Sequence, residues 1–275
     1  MEIAPVKKTR YSNIPISHEI YFTGRTAELN LMRRYLTANN SISQRILVIW
    51  GVGGSGKTQL AFHYATQYEK EFSAAFWVNA EDNAGIREDY ADIAWRLRLP
   101  EAIRNKPESL VDSSGEEIAI QAVKEWFTDH EEGDWLLIID NADNLEGVDL
   151  EEYIPPTKRG HVIITSQDKQ AAFGASIELG TMEAEDAKQL FLSRAGMTRP
   201  TLEQITDCTD LVTSLGWLAL AVEHAASCIH LNPMPLRQYM ENLEKNRHYW
   251  LEKSLASAFI NSRYSPPSKL LATYC

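Results

Sequence analysis

Eight residues constrain this chain more than any others: Gly51-Val52-Gly53-Gly54-Ser55-Gly56-Lys57-Thr58, which fit the spacing G-x-x-x-x-G-K-[ST]. Ile46 to Trp50 precede them as five apolar residues and read as a buried strand. Gln59-Leu60-Ala61-Phe62 follow as the start of a helix. Gly53, Gly54 and Gly56 can take the positive φ that turns successive N–H groups towards one anion. A helix starting near Lys57 adds its positive N-terminal end. Lys57 can reach β- and γ-phosphates, and Thr58 can place its hydroxyl on Mg²⁺. The plain alternative is a glycine turn joining a strand to a helix. The strand before and the helix after count against it.

Lys and Arg number 27 against 38 Asp and Glu, a net charge of −11. An acidic surface argues against a nucleic-acid backbone as partner. No apolar run approaches the ~18 residues needed to span a bilayer, and the first twenty residues contain no signal-peptide core. A cytoplasmic protein with no membrane and no nucleic-acid partner is therefore expected. Cys208, Cys228 and Cys275 are an odd number without C-x-x-C spacing, so buried reduced thiols are expected in place of zinc or a disulfide framework.

In chain order, residues 1–20, with Pro5 and Pro15, read as an extended N-terminal segment. Thr26 can cap a helix carrying Leu29, Leu31, Met32 and Leu36. Gly24-Arg25, taken alone, reads as a helix-entry turn with a surface arginine. The loop helix runs to about Lys70, and Ala74 to Asn79 form a second strand. Ile86, Tyr90, Ile93, Ala94 and Leu97 then recur at helical spacing, and a further helix places Ile118, Ala122, Val123, Trp126 and Phe127 on one face. Trp135 to Asp140 are a third strand ending in an acid, 140 − 57 = 83 residues after Lys57. That fits a Walker B element, whose carboxylate holds the Mg²⁺ shell; the alternative is an ordinary Asp leaving a buried strand. His161–Thr165 and the weaker Ser176–Leu179 complete five strands. Alternation with helices predicts a mostly parallel sheet covered on both faces, with Gly51, Asp140 and Gln167 at the ligand-binding carboxyl ends. Beyond Gly180 only helices are expected: Glu183–Ala195, Leu202–Leu215, Trp217–Ile229, Pro235–Lys245 and His248–Phe259. The expected division is 1–20 extended, 21–180 nucleotide-binding, 181–255 helical and 256–275 a disordered tail.

Taken in order, six stretches resemble one family. They are Tyr21-Phe22-Thr23-Gly24-Arg25, Gly51 to Thr58, Phe76-Trp77-Val78-Asn79-Ala80, Leu136 to Asp140 with Asn141-Ala142-Asp143, His161 to Asp168, and Leu215-Gly216-Trp217-Leu218-Ala219-Leu220-Ala221. Together they resemble the NB-ARC domain, a STAND-class P-loop NTPase, in the spelling of fungal NLR-like proteins. The resemblance covers about residues 21–255. It implies an α/β P-loop NTPase fold, a parallel five-stranded sheet of order 5-1-4-3-2 with helices on both faces, followed by a small α-helical ARC-like subdomain. It implies that Phe22, Gly24 and Arg25 line the adenine pocket. Gly51, Val52, Gly53, Gly54, Ser55, Gly56, Lys57, Thr58 and Gln59 would hold phosphates, and Ala219 stands where the family's proline contacts the nucleotide. Thr58 and Asp140 would hold Mg²⁺, and Asp140, Asn141 and Gln167 take the catalytic positions. Asn141 stands where many relatives carry a second acid, for which Asp143 is a substitute, and Gln167 stands where an arginine commonly senses the γ-phosphate. The winged-helix domain of the family does not follow, so a truncated form is expected. The function implied is an ADP/ATP-binding, Mg²⁺-dependent signalling switch, at most a slow ATPase, with protein partners or a homo-oligomer in the ATP state. The alternatives are a turnover ATPase of AAA-like type, a small-molecule kinase, or an interaction fragment that binds no nucleotide. Intact Lys57, Thr58 and Asp140 count against the last.

Overall fold

Long unbroken apolar runs become the central strands of one parallel sheet. The structure, a computed structural model, describes residues 11–15, 22–37, 44–100, 113–130, 134–171 and 174–245. The strands are β1 (Tyr11–Ser12), β2 (Arg45–Trp50), β3 (Ala74–Asn79), β4 (Trp135–Asp140), β5 (His161–Ser166) and β6 (Ala175–Glu178). Their order is β1-β3-β4-β5-β2-β6, and each neighbouring pair is parallel. The helices are α1 (Thr26–Thr37), α2 (Lys57–Gln67), α3 (Asn83–Arg96), α4 (Ser113–Asp129), α5 (Ala184–Arg194), α6 (Leu202–Ser214), α7 (Ala219–Leu231) and α8 (Leu236–Lys245). From β6 to β3 this is the order that the resemblance implies. The correction is at one edge: the sheet has six strands, not five. Two residues, Tyr11 and Ser12, carry no readable period, which is why the segment was expected only to be extended.

The chain divides into two compact units. The first takes in residues up to His18, Thr26–Gly51 and Lys57–Leu179; the second takes in Glu19–Arg25, Val52–Gly56 and Gly180 onwards.

In the first unit, all six residues of β4 are buried. Continuous burial, in place of alternation, is what a sheet covered on both faces demands. The α3 helix starts because Asp82 accepts a hydrogen bond from Gly85 N at 2.7 Å, a side-chain N-cap. Its Ile86, Tyr90, Ile93 and Ala94 face the core as expected. In α4 the buried line is Ala119, Val123 and Phe127, at i, i+4 and i+8, with Trp126 packed beside it. Ile118 is one position off that stripe and 48% exposed, so the face read from the sequence was turned by about one residue. Trp135, fully buried, donates Nε1–H to Phe127 O at 3.1 Å, which ties β4 to the last turns of α4.

The second unit has its own core, built from Ala187, Phe191, Leu211, Val212, Val222 and Ala226 among others. A capping box starts α6: Thr201 accepts from Gln204 N while Thr201 N donates to the Gln204 side chain. Arg237 Nε donates to Asp207 Oδ1 at 2.9 Å, joining α8 to α6. The helix expected from Trp217 begins at Ala219 instead, because Gly216 and Trp217 have φ of 64° and 52°, outside the right-handed helical region. Cys208 is a buried free thiol. No helix among the described residues is long and apolar enough to cross a membrane. The expected helix 248–259 and the tail 256–275 lie outside the described residues, as do most of residues 1–20.

Gly160 turns the chain into β5 with φ of 75°, and a Cβ there would lie 2.2 Å from the Trp135 ring. Gly160→Ala therefore combines left-handed strain with overpacking of a buried indole, and should cost about 2–4 kcal/mol. Urea denaturation checks this; a change within about 0.5 kcal/mol, the range of a neutral surface substitution, would show that the close approach is not needed.

Candidate phosphate-binding site

Strand β2 delivers Gly51 to the carboxyl edge of the sheet. Gly51 N donates to Ser166 O at 3.2 Å. Its φ is 153°, and a Cβ would stand 2.3 Å from Leu179 O, so only glycine fits between β5 and the end of β6. Gly54 and Gly56 take φ of 79° and 97°, as the anion-cradle reading requires; Gly53 is not among the residues with positive φ, which corrects that part of the expectation. The loop closes on itself through Ser55 N to Val52 O at 3.3 Å, and α2 begins at Lys57.

Within the first unit, Lys57 Nζ donates to Gly51 O at 2.8 Å. Thr58 Oγ1 donates to Asp140 Oδ1 at 2.9 Å, so the first turn of α2 is tied to the last residue of β4. Thr165 Oγ1 donates to the same Asp140 oxygen at 2.5 Å and accepts from Asn141 N at 3.0 Å. Asp140 is 9% exposed. Burial pushes its carboxyl above the usual range, opposed by hydrogen bonds from Thr165 and Thr58 and by the Lys57 charge. Burial pushes Lys57 downward, opposed by Asp143 and Asp140. Asn141 has φ of 64°, a left-handed position that asparagine tolerates better than most residues. Asp143 accepts from Gln167 N and from Gln167 Nε2, both at 2.6 Å, so the Gln167 amide is committed to that carboxylate. Gln59, in the first turn of α2, is exposed.

Within the second unit, Arg25 is no loose surface arginine. Its guanidinium donates to Gly180 O at 2.7 Å, Ser55 O at 3.1 Å and Thr181 O at 3.2 Å. Gly24 precedes it at φ of 72°, with Asp186 so close that a Cβ would collide, and Phe22 is half-buried. Leu220 N donates to Gly54 O at 3.0 Å, and a Cβ on Gly56 would meet Ala219 Cβ at 3.8 Å. The candidate residues Phe22, Gly24, Arg25, Val52 to Gly56 and Ala219 thus fall in this unit, and Lys57, Thr58, Gln59, Asp140, Asn141 and Gln167 in the first.

Sequence reading missed Thr165 as a functional group, taking it only as a strand end. The signal was register: Ile139 pairs with Ile164, which sets the next residues, Asp140 and Thr165, side by side. The oxygens of Thr58 and Asp140 are hard donors of the kind Mg²⁺ takes, one carboxylate and one hydroxyl being its ordinary protein share. The Ser55 hydroxyl is buried without a partner in the loop. Within the first unit, Lys57, Thr58 and Asp140 fit a nucleoside polyphosphate with Mg²⁺.

Residues 41–165 match the family model of an AAA domain. The chain is 25% identical over 257 residues to a "Nucleotide-binding leucine-rich repeat (NLR)-like protein" of Hyaloscypha variabilis, covering 85% of this chain and 25% of that protein. It is 28% identical over 211 residues to "Regulatory protein AfsR" of Streptomyces griseus, covering 75% of this chain and 20% of that protein. The chain thus spans a quarter or less of these relatives' lengths. In structure it resembles the crystal structure of Cdc6p from Pyrobaculum aerophilum with a TM-score of 0.53 at 14% identity, over 78% of this chain and 65% of that one. The first unit carries a P-loop NTPase-like fold, and a helical C-terminal part follows it in the chain.

Thr165→Val should leave Asn141 N–H without its acceptor and Asp140 short of one donor. The expected loss is about 1–3 kcal/mol, against less than about 1 kcal/mol for Thr165→Ser. Chemical denaturation of both variants checks it, and equal losses would reduce Thr165 to a space-filler.

Proposed function

We propose that this chain binds ADP and ATP with Mg²⁺ and acts as a nucleotide-dependent signalling switch that hydrolyses ATP slowly. The observation that carries the reading is the convergence of Lys57, Thr58 and Asp140 at the carboxyl ends of β2 and β4. Lys57 would neutralise β- and γ-oxygens, while Thr58 and Asp140 would hold the metal. Bound Mg²⁺ supplies charge neutralisation across the phosphates. Residues 21–180 are read as the nucleotide-binding domain and 181–255 as an ARC-like subdomain of NB-ARC type, acting in the cytoplasm with protein partners or a second copy.

Support for a switch comes from two sides. The relatives carry the names of an NLR-like and a regulatory protein. The chemistry is also poorly equipped. Phosphoryl transfer relies on cancelling charge over the γ-oxygens and on orienting water, and one arginine there is worth about a thousandfold or more. Gln167 brings no charge. The Asn141 amide takes up no proton. Asp143 already accepts two hydrogen bonds from Gln167, which must break before that carboxylate can serve water. A switch needs only differential affinity of two states for ADP and ATP, not turnover. The second reading, a turnover ATPase of AAA-like type, is favoured by the family match over residues 41–165.

Three measurements test the proposal. Protein denatured after purification should release ADP or ATP, and Lys57→Ala should weaken binding of a fluorescent ADP at least tenfold in a folded chain; unchanged affinity would remove the phosphate-loop assignment. Asp140→Asn should weaken ATP binding more with Mg²⁺ present than without it, whereas equal weakening would make Asp140 structural. Single-turnover hydrolysis should run well below about one per minute, and Asn141→Asp or Gln167→Arg should raise it. Wild-type turnover of several per minute, raised by neither change, would favour the AAA-like ATPase.

A further inference from the structure

The outer edge of β3 carries the short strand β1, Tyr11–Ser12. On its inner side β3 pairs with β4 over six residues. On the outer side the backbone groups of Ser73, Ala75 and Trp77 need partners, and an open edge is a template for any extended segment. Tyr11–Ser12 fills it in parallel register, with Tyr11 opposite Ala74 and Ser12 opposite Ala75. Two of the backbone bonds at this edge are long: Tyr11 N to Ser73 O and Asn13 N to Ala75 O, each 3.4 Å. Bonds of that length lie beyond the good N–H···O range.

Two shorter bonds come from a side chain. Asn13 Nδ2 donates to Trp77 O at 2.9 Å, and Trp77 N donates to Asn13 Oδ1 at 2.6 Å. The carboxamide acts as a substitute peptide group. Asn13 N bonds Ala75 O, so the next step along a parallel ladder would call on residue 15 to donate to Trp77 O. Residue 15 is proline and has no N–H. The Asn13 amide supplies that donor and the matching acceptor together, and among short side chains only asparagine carries them on two separate atoms, as a peptide group does. Ile14 N turns back to Ser12 Oγ at 3.1 Å, ending the strand. Tyr11 lies edge-on to Trp126, ring centroids 5.8 Å apart, which anchors the other end of the segment.

We propose that the outer edge of β3 is a strand-docking site, that its occupant is the chain's own Tyr11–Asn13, and that the Asn13 side-chain amide selects that occupant. This mode of recognition uses main-chain bonds for attachment and one side chain for identity. The proposal does not depend on nucleotide binding.

The test is amide hydrogen exchange on the full chain, read at Trp77, with Ile138 in β4 as the report on an intact sheet. Asn13→Ala should speed exchange at Trp77 at least tenfold and leave Ile138 unchanged. A labelled peptide of residues 8–15 should then bind the Asn13→Ala chain saturably and restore Trp77 protection, while the same peptide with Ala for Asn13 should not. If Asn13→Ala also loses Ile138 protection, Asn13→Gln, which keeps the amide one methylene further out, takes its place with the same expectation. Unchanged Trp77 exchange in the variant used, no binding of the native peptide, or equal binding of both peptides would overturn the proposal.

Discussion

A carboxylate buried at the end of a strand must be given donors or a cation, or it will not stay charged. Asp140 is the point where this chain meets that requirement. The hydroxyls of Thr58 and Thr165 reach one of its oxygens, and Lys57 stands near enough to pull its ionisation back towards normal. Those donors come from α2 and β5, so satisfying one charge fixes the start of a helix and the ends of two strands in the same place. The same carboxylate and the Thr58 hydroxyl are the oxygens that a hard cation would take. Structural need and proposed chemistry draw on one set of atoms. Removing the charge therefore disturbs the local frame as well as any metal site.

Much of this was legible before any coordinates. The phosphate-loop spacing, the strand that feeds it and the acid that ends β4 are each short-range patterns, and short-range patterns survive folding. The strand order came with the family likeness, not with periodicity. What was illegible depends on distance or on backbone geometry. Thr165 gains its role only when β5 lies in register beside β4. Arg25 looks like a solvated charge until three carbonyls gather around it. Ile118 and Ala119 are neighbours on a helix, and the packing partner alone decides which of them faces inward. Trp217 sits in left-handed geometry that nothing in an apolar helical pattern announces.

The sheet edge is a case of its own. A two-residue strand lies below the length at which alternation can be detected, and a proline three positions on argues against any strand there. The strand forms because Asn13 replaces what the proline withholds. A rule about propensity was correct for the backbone and was overridden by a side chain that copies the backbone's own groups.

The left-handed backbone at Asn141 limits which residues that position accepts. Bulky and β-branched side chains are strained there, while asparagine, aspartate and glycine are tolerated. Asparagine and aspartate codons differ by a single base. The amide beside Asp140 and a carboxylate in its place are thus one point mutation apart, and the turn that carries them is indifferent to which is present. At this position fold stability therefore sets little barrier to exchanging an amide for a carboxylate next to Asp140.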